Sequence, residues 1–462
     1  MLKHWQYKLV LGIALITGGV WTVHVGQRRS ATLLALDTNT GKIQWFRPLR
    51  SEKDFYSRGA IASNGTVVLG SAESSQPEQR SSNTYRISAF DAQSGNPLWT
   101  TQLNSPVDDA DRIGYWFAST YSLDLQPNAV YAQMGEELRS LDPRTGEIRW
   151  SIKRPWLNAN DQPLRFGLGI AATEQTLAVL QLERNQNLLQ VIDPETGKLI
   201  RQTAIAFDKL ESTSNRITMA NRSVFLETSG LIPSGKDSFL PSGQATLTAY
   251  NLDTGQIRYR VPISGAINNL QAVGQTIQIS TDPVFDFKNS DVKVGNQLIG
   301  LDLETGRVLW KKVDNQLKCT DFVWSWRVDA ESVYITCKRP KEKSSTIVSL
   351  SAQTGQIQWQ TLVSPNQHSA EVPGAIADRQ FLTFRRVQSQ LQAIALDRQT
   401  GKLLWSKALF SSQDLPYMDS FRATVATDQD KVFVLDAVPQ WQLWLLSLNR
   451  DWYLNPSIEP KP

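Results

Sequence analysis

The feature that most constrains this chain is one hairpin-like pattern written eight times. It reads LLALDTNTGKIQW at 33–45, ISAFDAQSGNPLW at 87–99, LRSLDPRTGEIRW at 138–150 and LQVIDPETGKLIR at 189–201. The second half repeats it as LTAYNLDTGQIRY at 247–259, LIGLDLETGRVLW at 298–310, IVSLSAQTGQIQW at 347–359 and AIALDRQTGKLLW at 393–405. The glycines Gly41, Gly95, Gly146, Gly197, Gly255, Gly306, Gly355 and Gly401 follow one another at 46 to 58 residues. That period is one four-stranded propeller blade, a unit that buries its apolar faces only by stacking on neighbours. A chain of 462 residues is long for one domain, but closed repeat architectures absorb such length.

Each position has a mechanical task. Alternating apolar residues such as Leu34 and Leu36 mark a strand with one face against a neighbouring sheet. The aspartates Asp37, Asp91, Asp142, Asp193, Asp302 and Asp397 start a turn whose amides they can accept; Asn251 can do the same and Ser351 less well. Glycine supplies the positive φ that closes the turn. Trp45, Trp99, Trp150, Trp310, Trp359 and Trp405 are large enough to wedge between blades. Each such ring buries about 150 to 250 Å², an upper bound of roughly 4 to 6 kcal/mol. Arg201 and Tyr259 replace it in two copies, so those junctions are expected to pack differently.

Two more strands precede each hairpin, as in AIASNGTVVLGS at 60–71, TYSLDLQPNAVYAQ at 120–133 and FVWSWRVDAESVYITC at 322–337. The first copy lacks this pair, while FRATVATDQDKVFVLDA at 421–437 is such a pair with no hairpin after it. The two ends are expected to combine into an eighth blade, which removes open sheet edges. The predicted fold is therefore all-β, an eight-bladed propeller of four-stranded antiparallel blades over residues 30–462. The strand-like Leu443–Leu448 has no place in this scheme.

Residues 1–29 form a separate N-terminal segment. Leu9 to Val25, LVLGIALITGGVWTVHV, is almost wholly apolar for 17 residues, the lower limit for a membrane-crossing helix, and Lys3 and Lys8 precede it. The only small-x-small candidate for cleavage, Thr17-Gly18-Gly19, lies inside the apolar run, so an uncleaved transmembrane signal-anchor is expected. Arg28 and Arg29 weaken the charge asymmetry, but export of the propeller to the extracytoplasmic, periplasmic side is the favoured orientation. No cysteine lies near this segment, which excludes lipid attachment of the bacterial lipoprotein kind.

Charge excludes one class of partner. The net +4 comes from Lys3, Lys8, Arg28 and Arg29; removing those four from the 48 bases leaves 44 against 44 acids. A neutral propeller without a basic run is not built to displace counterions from nucleic acid. The two cysteines, Cys319 and Cys337, are too few for a zinc site even with His368. They lie near the two ends of one hairpin, where a disulfide can form in an oxidising compartment, although strand pairing does not set them directly opposite.

The pattern A-x-D-x-x-x-G-x-x-x-W, complete at Ala35–Trp45, Ala89–Trp99 and Ala395–Trp405, resembles the tryptophan-docking repeat of the pyrroloquinoline quinone (PQQ)-type β-propellers, the quinoprotein alcohol dehydrogenase-like superfamily. It is specific for fold and weak for function, because the repeat residues serve packing. Members similar to this chain include quinoprotein alcohol dehydrogenases, which hold PQQ and Ca²⁺ on the axis. They also include the propeller lipoprotein of the outer-membrane β-barrel assembly machinery, which binds proteins and no cofactor.

In such a blade the one-to-two and three-to-four turns leave from one face and the other links from the opposite face. The first set is short here; the second includes Ser71–Tyr85, Gln102–Trp116, Lys153–Phe166, Thr228–Gln244, Thr281–Gln297 and Ser364–Gly374. That elaborated face is the predicted interaction surface, with Tyr115, Trp116, Trp156, Phe239, Phe285 and Phe287 as candidate anchors for a protein or cell-envelope partner. The acidic groups Asp108, Asp109, Asp111 and Asp282, Asp286, Asp291 lack calcium-loop spacing and read as solvated loops. His368 is the sole histidine outside residues 1–29, and no G-x-S-x-G motif supports nucleophilic catalysis. The expected function is a non-enzymatic, membrane-tethered scaffold with no cofactor. The alternative is a PQQ- and Ca²⁺-dependent dehydrogenase, against which stands the missing adjacent-cysteine pair of the alcohol dehydrogenases.

Overall fold

A computed structural model describes residues 21–49, 54–74, 83–103, 121–134, 137–153, 169–182, 187–205, 217–233, 239–282, 284–286, 291–317, 319, 321–339, 344–364, 374–387, 390–411, 423–428 and 430–447. They form eight four-stranded antiparallel sheets. Blades 1 to 7 take the chain in order, at 54–103, 121–153, 170–205, 217–264, 267–313, 321–364 and 375–411. Blade 8 joins the two ends of the chain. Ala423–Asp428 is its inner strand, Lys431–Ser447 and Trp21–Asp37 follow, and Ile43–Leu49 is outermost. The protein is an eight-bladed propeller closed by terminal pairing, as the incomplete first and last copies implied.

The repeat strands bury both faces, not one. Leu34 and Leu36 pack with Ala375, Leu382 and Phe384 of blade 7, while Leu33 and Ala35 pack with Val67 and Leu69 of blade 1. One apolar cluster of this kind fills each of the eight junctions, so the core is a ring of inter-blade layers. Alternation thus sends successive side chains to different neighbours, and a strand buried on both sides reads as a nearly unbroken apolar run.

Three sequence expectations change. The last five residues of the apolar N-terminal run, Trp21–Val25, are not helical: they pair with Leu443–Ser447, which also gives that C-terminal stretch its place. Residues 9–20 lie outside the described residues, and no described helix is long and apolar enough to cross a membrane. Two of the long links are also shorter than the sequence implied. In blade 4 the second and third strands run on to Pro233 and from Phe239, and in blade 1 they reach Ser74 and resume at Asn83. Continued backbone pairing outcompetes a loop there. Within Thr281–Gln297 a small hairpin forms, Val284–Asp286 against Asp291–Val294.

Candidate functional site

The repeat residues meet at every blade junction. At each turn the aspartate backbone closes the loop, as where Gly41 N donates to Asp37 O at 2.8 Å and Asp37 N to Lys42 O at 2.9 Å. Its carboxylate accepts the turn amides and hydroxyl: Asp91 Oδ1 takes Ser94 N and Oγ, both at 2.7 Å. Such bonds favour the ionised form and hold Asp37, Asp91, Asp193, Asp302 and Asp397 below the ordinary carboxylate value. At Asp142 burial opposes this, but Arg149 and the turn amides still lower it. Asn251 Oδ1 accepts Asp253 N and Thr254 N at 2.8 and 2.9 Å, whereas Ser351 Oγ takes Thr354 N alone at 3.2 Å.

The tryptophan of one blade lies on the turn of the next. Its indole Nε1 donates to the carbonyl of the residue after the turn's first position: Trp45 to Ala92, Trp99 to Pro143, Trp150 to Pro194, Trp310 to Ala352, Trp359 to Arg398 and Trp405 to Thr38, at 2.6 to 3.1 Å. Tyr259 does the same through its hydroxyl, 2.7 Å from Leu303 O, and burial raises its phenol so that it stays a donor. Only the junction of blades 3 and 4 lacks an aromatic clasp: Arg201 is exposed and Thr203 sits on Gly255. The glycine has a second reason beyond its φ, because the ring lies where a Cβ would be. A Cβ on Gly355 would stand 2.5 Å from Trp310 Cδ2.

One clamp was not legible in the repeat. Arg398 Nε donates to Tyr334 Oη at 3.2 Å, Nη2 pairs with Asp329 at 2.5 Å, and Nη1 donates to Asp378 O, binding blade 7 to blade 6. The available signal was its position, since Arg398 is the one charged residue directly after the first turn residue in the eight copies.

All one-to-two and three-to-four turns lie on one face and are short, while the other links leave from the opposite face. Of the candidate anchors there, Phe239 starts a blade 4 strand opposite Pro233, and Phe285 pairs with Val292 in the added hairpin. Tyr115, Trp116, Trp156 and Phe287 lie outside the described residues, as do His368 and Asp108, Asp109 and Asp111. Asp286 and Asp291 are register partners, with Asp282 just before their hairpin. Cys319 and Cys337 form a disulfide with Cα atoms 5.2 Å apart. The strand partner of Cys337 is Phe322, so Cys319 reaches it from ahead of the strand.

A quinone with Ca²⁺ on the axis would need carboxylates converging from the inner strands. Among the described residues, blades 3, 4, 5 and 7 offer Ile170–Ala172, Ile217–Ala220, Ile267–Val273 and Ala375–Ala377, with no acid. Blades 1, 2, 6 and 8 carry Asp54, Asp124, Asp321 and Asp428 on their inner strands, and of these Asp428 Oδ2 accepts from Gly65 N at 2.6 Å. No chemical step is derived through that group.

Eight four-stranded blades, with an aromatic on the next blade's turn at seven of the eight junctions, define a PQQ-type β-propeller. The family described as outer membrane protein assembly factor BamB matches residues 4–160 and 185–437, and the chain belongs to it. No curated protein matches. Among solved structures, BamB from Moraxella catarrhalis is 12% identical with a TM-score of 0.42, over 89% of this chain and 100% of that one. A europium-containing methanol dehydrogenase is 10% identical with a TM-score of 0.48, over 83% and 92%. Quinohemoprotein alcohol dehydrogenase from Comamonas testosteroni is 10% identical with a TM-score of 0.48, over 89% and 76%. Likeness at this level says nothing about activity.

Proposed function

We propose that this protein is a non-enzymatic assembly scaffold, tethered to a membrane and held on the extracytoplasmic side, that engages a protein or cell-envelope partner through its long-link face. The observation that carries the reading is the asymmetry of the two faces. On the turn face the repeated polar groups are committed to closing turns and clasping blades, whereas the other face bears every long link. Binding residues concentrate on long links carried by a rigid scaffold. Membership of the BamB family supports the reading, and the disulfide suits an oxidising compartment. The tether is assigned to residues 9–25. A helix of residues 9–20 alone rises about 18 Å, short of a ~30 Å hydrocarbon core, so a spanning tether requires Trp21–Val25 to leave the blade 8 strand.

Site-specific photocrosslinking in native membranes tests the reading. A crosslinker at Trp116, Trp156 or Phe239 should capture a discrete partner, and one at Asn39 or Arg144 on the turn face should not. Capture from the turn face alone would reverse the assignment. Saturable one-to-one binding of PQQ with Ca²⁺ to the purified protein would replace the scaffold with the dehydrogenase alternative.

A further inference from the structure

The two longest described strands lie side by side in blade 8. Lys431–Ser447 and Trp21–Asp37 stay in register over their whole length, from Asp37 with Lys431 to Trp21 with Ser447. The outermost strand of the blade stops pairing at Ala31 and the innermost at Asp436. Beyond those points ten pairs remain, from Ser30 with Val438 to Trp21 with Ser447. They form a ribbon about 33 Å long, and among the described residues no third strand joins either edge. The chain ends stand where other blades have a link between their second and third strands, so the ribbon projects from the long-link face.

The register makes this ribbon two-sided. Leu33, Ala35 and Phe433 belong to the side that packs on blade 1. Alternation by twos from those residues places Trp21, Val23, Val25, Trp441, Leu443 and Leu445 on one side of the ribbon. The other side is mixed, with His24, Arg28, Gln440 and Gln442 beside Trp444 and Leu446. Two strands alone are at best marginally stable in water, and one side of these two is apolar, so the ribbon requires a surface to cover it.

The chain itself points to that surface. Trp21, at the tip of the ribbon, directly follows the apolar run of residues 9–20. With Trp21–Val25 committed to strand pairing, only 12 residues of that run remain, a length that suits an interfacial segment rather than a membrane-crossing one. Tryptophan favours the layer between lipid headgroups and acyl chains. Arg28 and Arg29 stand near the blade end of the ribbon, and residues 21–30 and 437–447 contain no acid, which suits anionic headgroups. We propose that the ribbon stays paired and lies on the membrane, with the side that carries Trp21, Val23, Val25, Trp441, Leu443 and Leu445 in the interfacial layer of a bilayer containing anionic lipid. The inference rests on the membrane-tether reading and selects its interfacial form over the spanning helix.

The test uses the full-length protein bound to vesicles of phosphatidylethanolamine with phosphatidylglycerol, carrying a nitroxide on one introduced cysteine at a time. Labels at Val23→Cys, Val25→Cys, Leu443→Cys and Leu445→Cys should be shielded from a water-soluble relaxant and open to oxygen. Labels at Thr22→Cys, His24→Cys and Gln442→Cys should show the reverse. Val23→Cys with Leu445→Cys, which are register partners, should be joined by a short bifunctional thiol reagent in the bound protein. Arg28→Gln with Arg29→Gln should weaken binding on the order of tenfold, with no change on phosphatidylcholine alone. Shielding at every third or fourth residue across 21–25, with loss of the cross-link, would show a spanning helix and overturn the inference while the tether reading stands. Equal exposure of both sides would overturn it in the same way, and a protein that does not bind the vesicles would remove both.

Discussion

Substituting Gly355 by alanine isolates what the aromatic clasp contributes. Two penalties act at this site. Gly355 has φ +64, and placing a Cβ-bearing residue in that left-handed region costs about 1 to 2 kcal/mol. The new Cβ would also lie 2.5 Å from Trp310 Cδ2 and 2.7 Å from Cε3, and displacing a ring from a packed junction costs about 1 to 3 kcal/mol more. Gly65 supplies the control, because its φ is +78 and nothing lies within 4 Å of an added Cβ. Gly65→Ala should therefore lose about 1 to 2 kcal/mol and Gly355→Ala about 2 to 5. Trp310→Ala should by itself lose about 3 to 5 kcal/mol, since Trp310 is 7% exposed and fills the junction of blades 5 and 6. In that background Gly355→Ala should fall back to the backbone penalty alone, a coupling of about 1 to 3 kcal/mol. Equilibrium urea unfolding followed by circular dichroism measures all four proteins. A Gly355→Ala penalty equal to that at Gly65, or one that persists without Trp310, would refute the argument that the ring occupies the Cβ position.

Three further outcomes are expected. Arg201→Trp should raise stability by about 1 to 2 kcal/mol, seen as a higher thermal midpoint, by giving blades 3 and 4 the missing ring and a donor to Leu252 O. Gly401, which accommodates both Trp359 and Thr361, shows that the ring can coexist with a threonine placed like Thr203, and an unchanged or lower midpoint would count against this. The turn aspartates are depressed in the folded state, so their contribution is present above the unfolded value of about 3.9 and is lost as pH falls below it through the folded values. The unfolding midpoint should stay level near neutrality and drop below about pH 4, and Asp302→Asn should make that drop shallower, whereas an unchanged slope would show that the turn carboxylates do not govern it. Finally, the native protein should show no alkylatable thiol by mass spectrometry, and Cys319→Ala with Cys337→Ala should lose about 3 kcal/mol for a separation of 18 residues.

Much of this follows because a repeat writes the same local physics many times. The turn aspartates, the positive φ of the glycines, the tryptophan wedge and the closure of blade 8 all depend on residues whose spacing is visible in one copy and verified by the next. The substitution of Arg201 likewise marked its junction as different before any contact was known. Tyr259, by contrast, was expected to alter its junction, yet it keeps the clasp, because a phenol hydroxyl reaches the same carbonyl as an indole N–H.

The amino-acid sequence by itself determined the blade, the number of blades and the way the ends close, because hydrogen-bonded hairpins and their packing residues are local in the chain. Only the tertiary structure decided which side chains from different blades confront one another. That Leu34 faces blade 7 and Leu33 faces blade 1 depends on pleat direction within an assembled ring, and no repeat unit encodes its neighbours' positions. The same holds for Arg398, whose clamp by Tyr334 and Asp329 is set by the approach of residues 64 and 69 positions away in the chain.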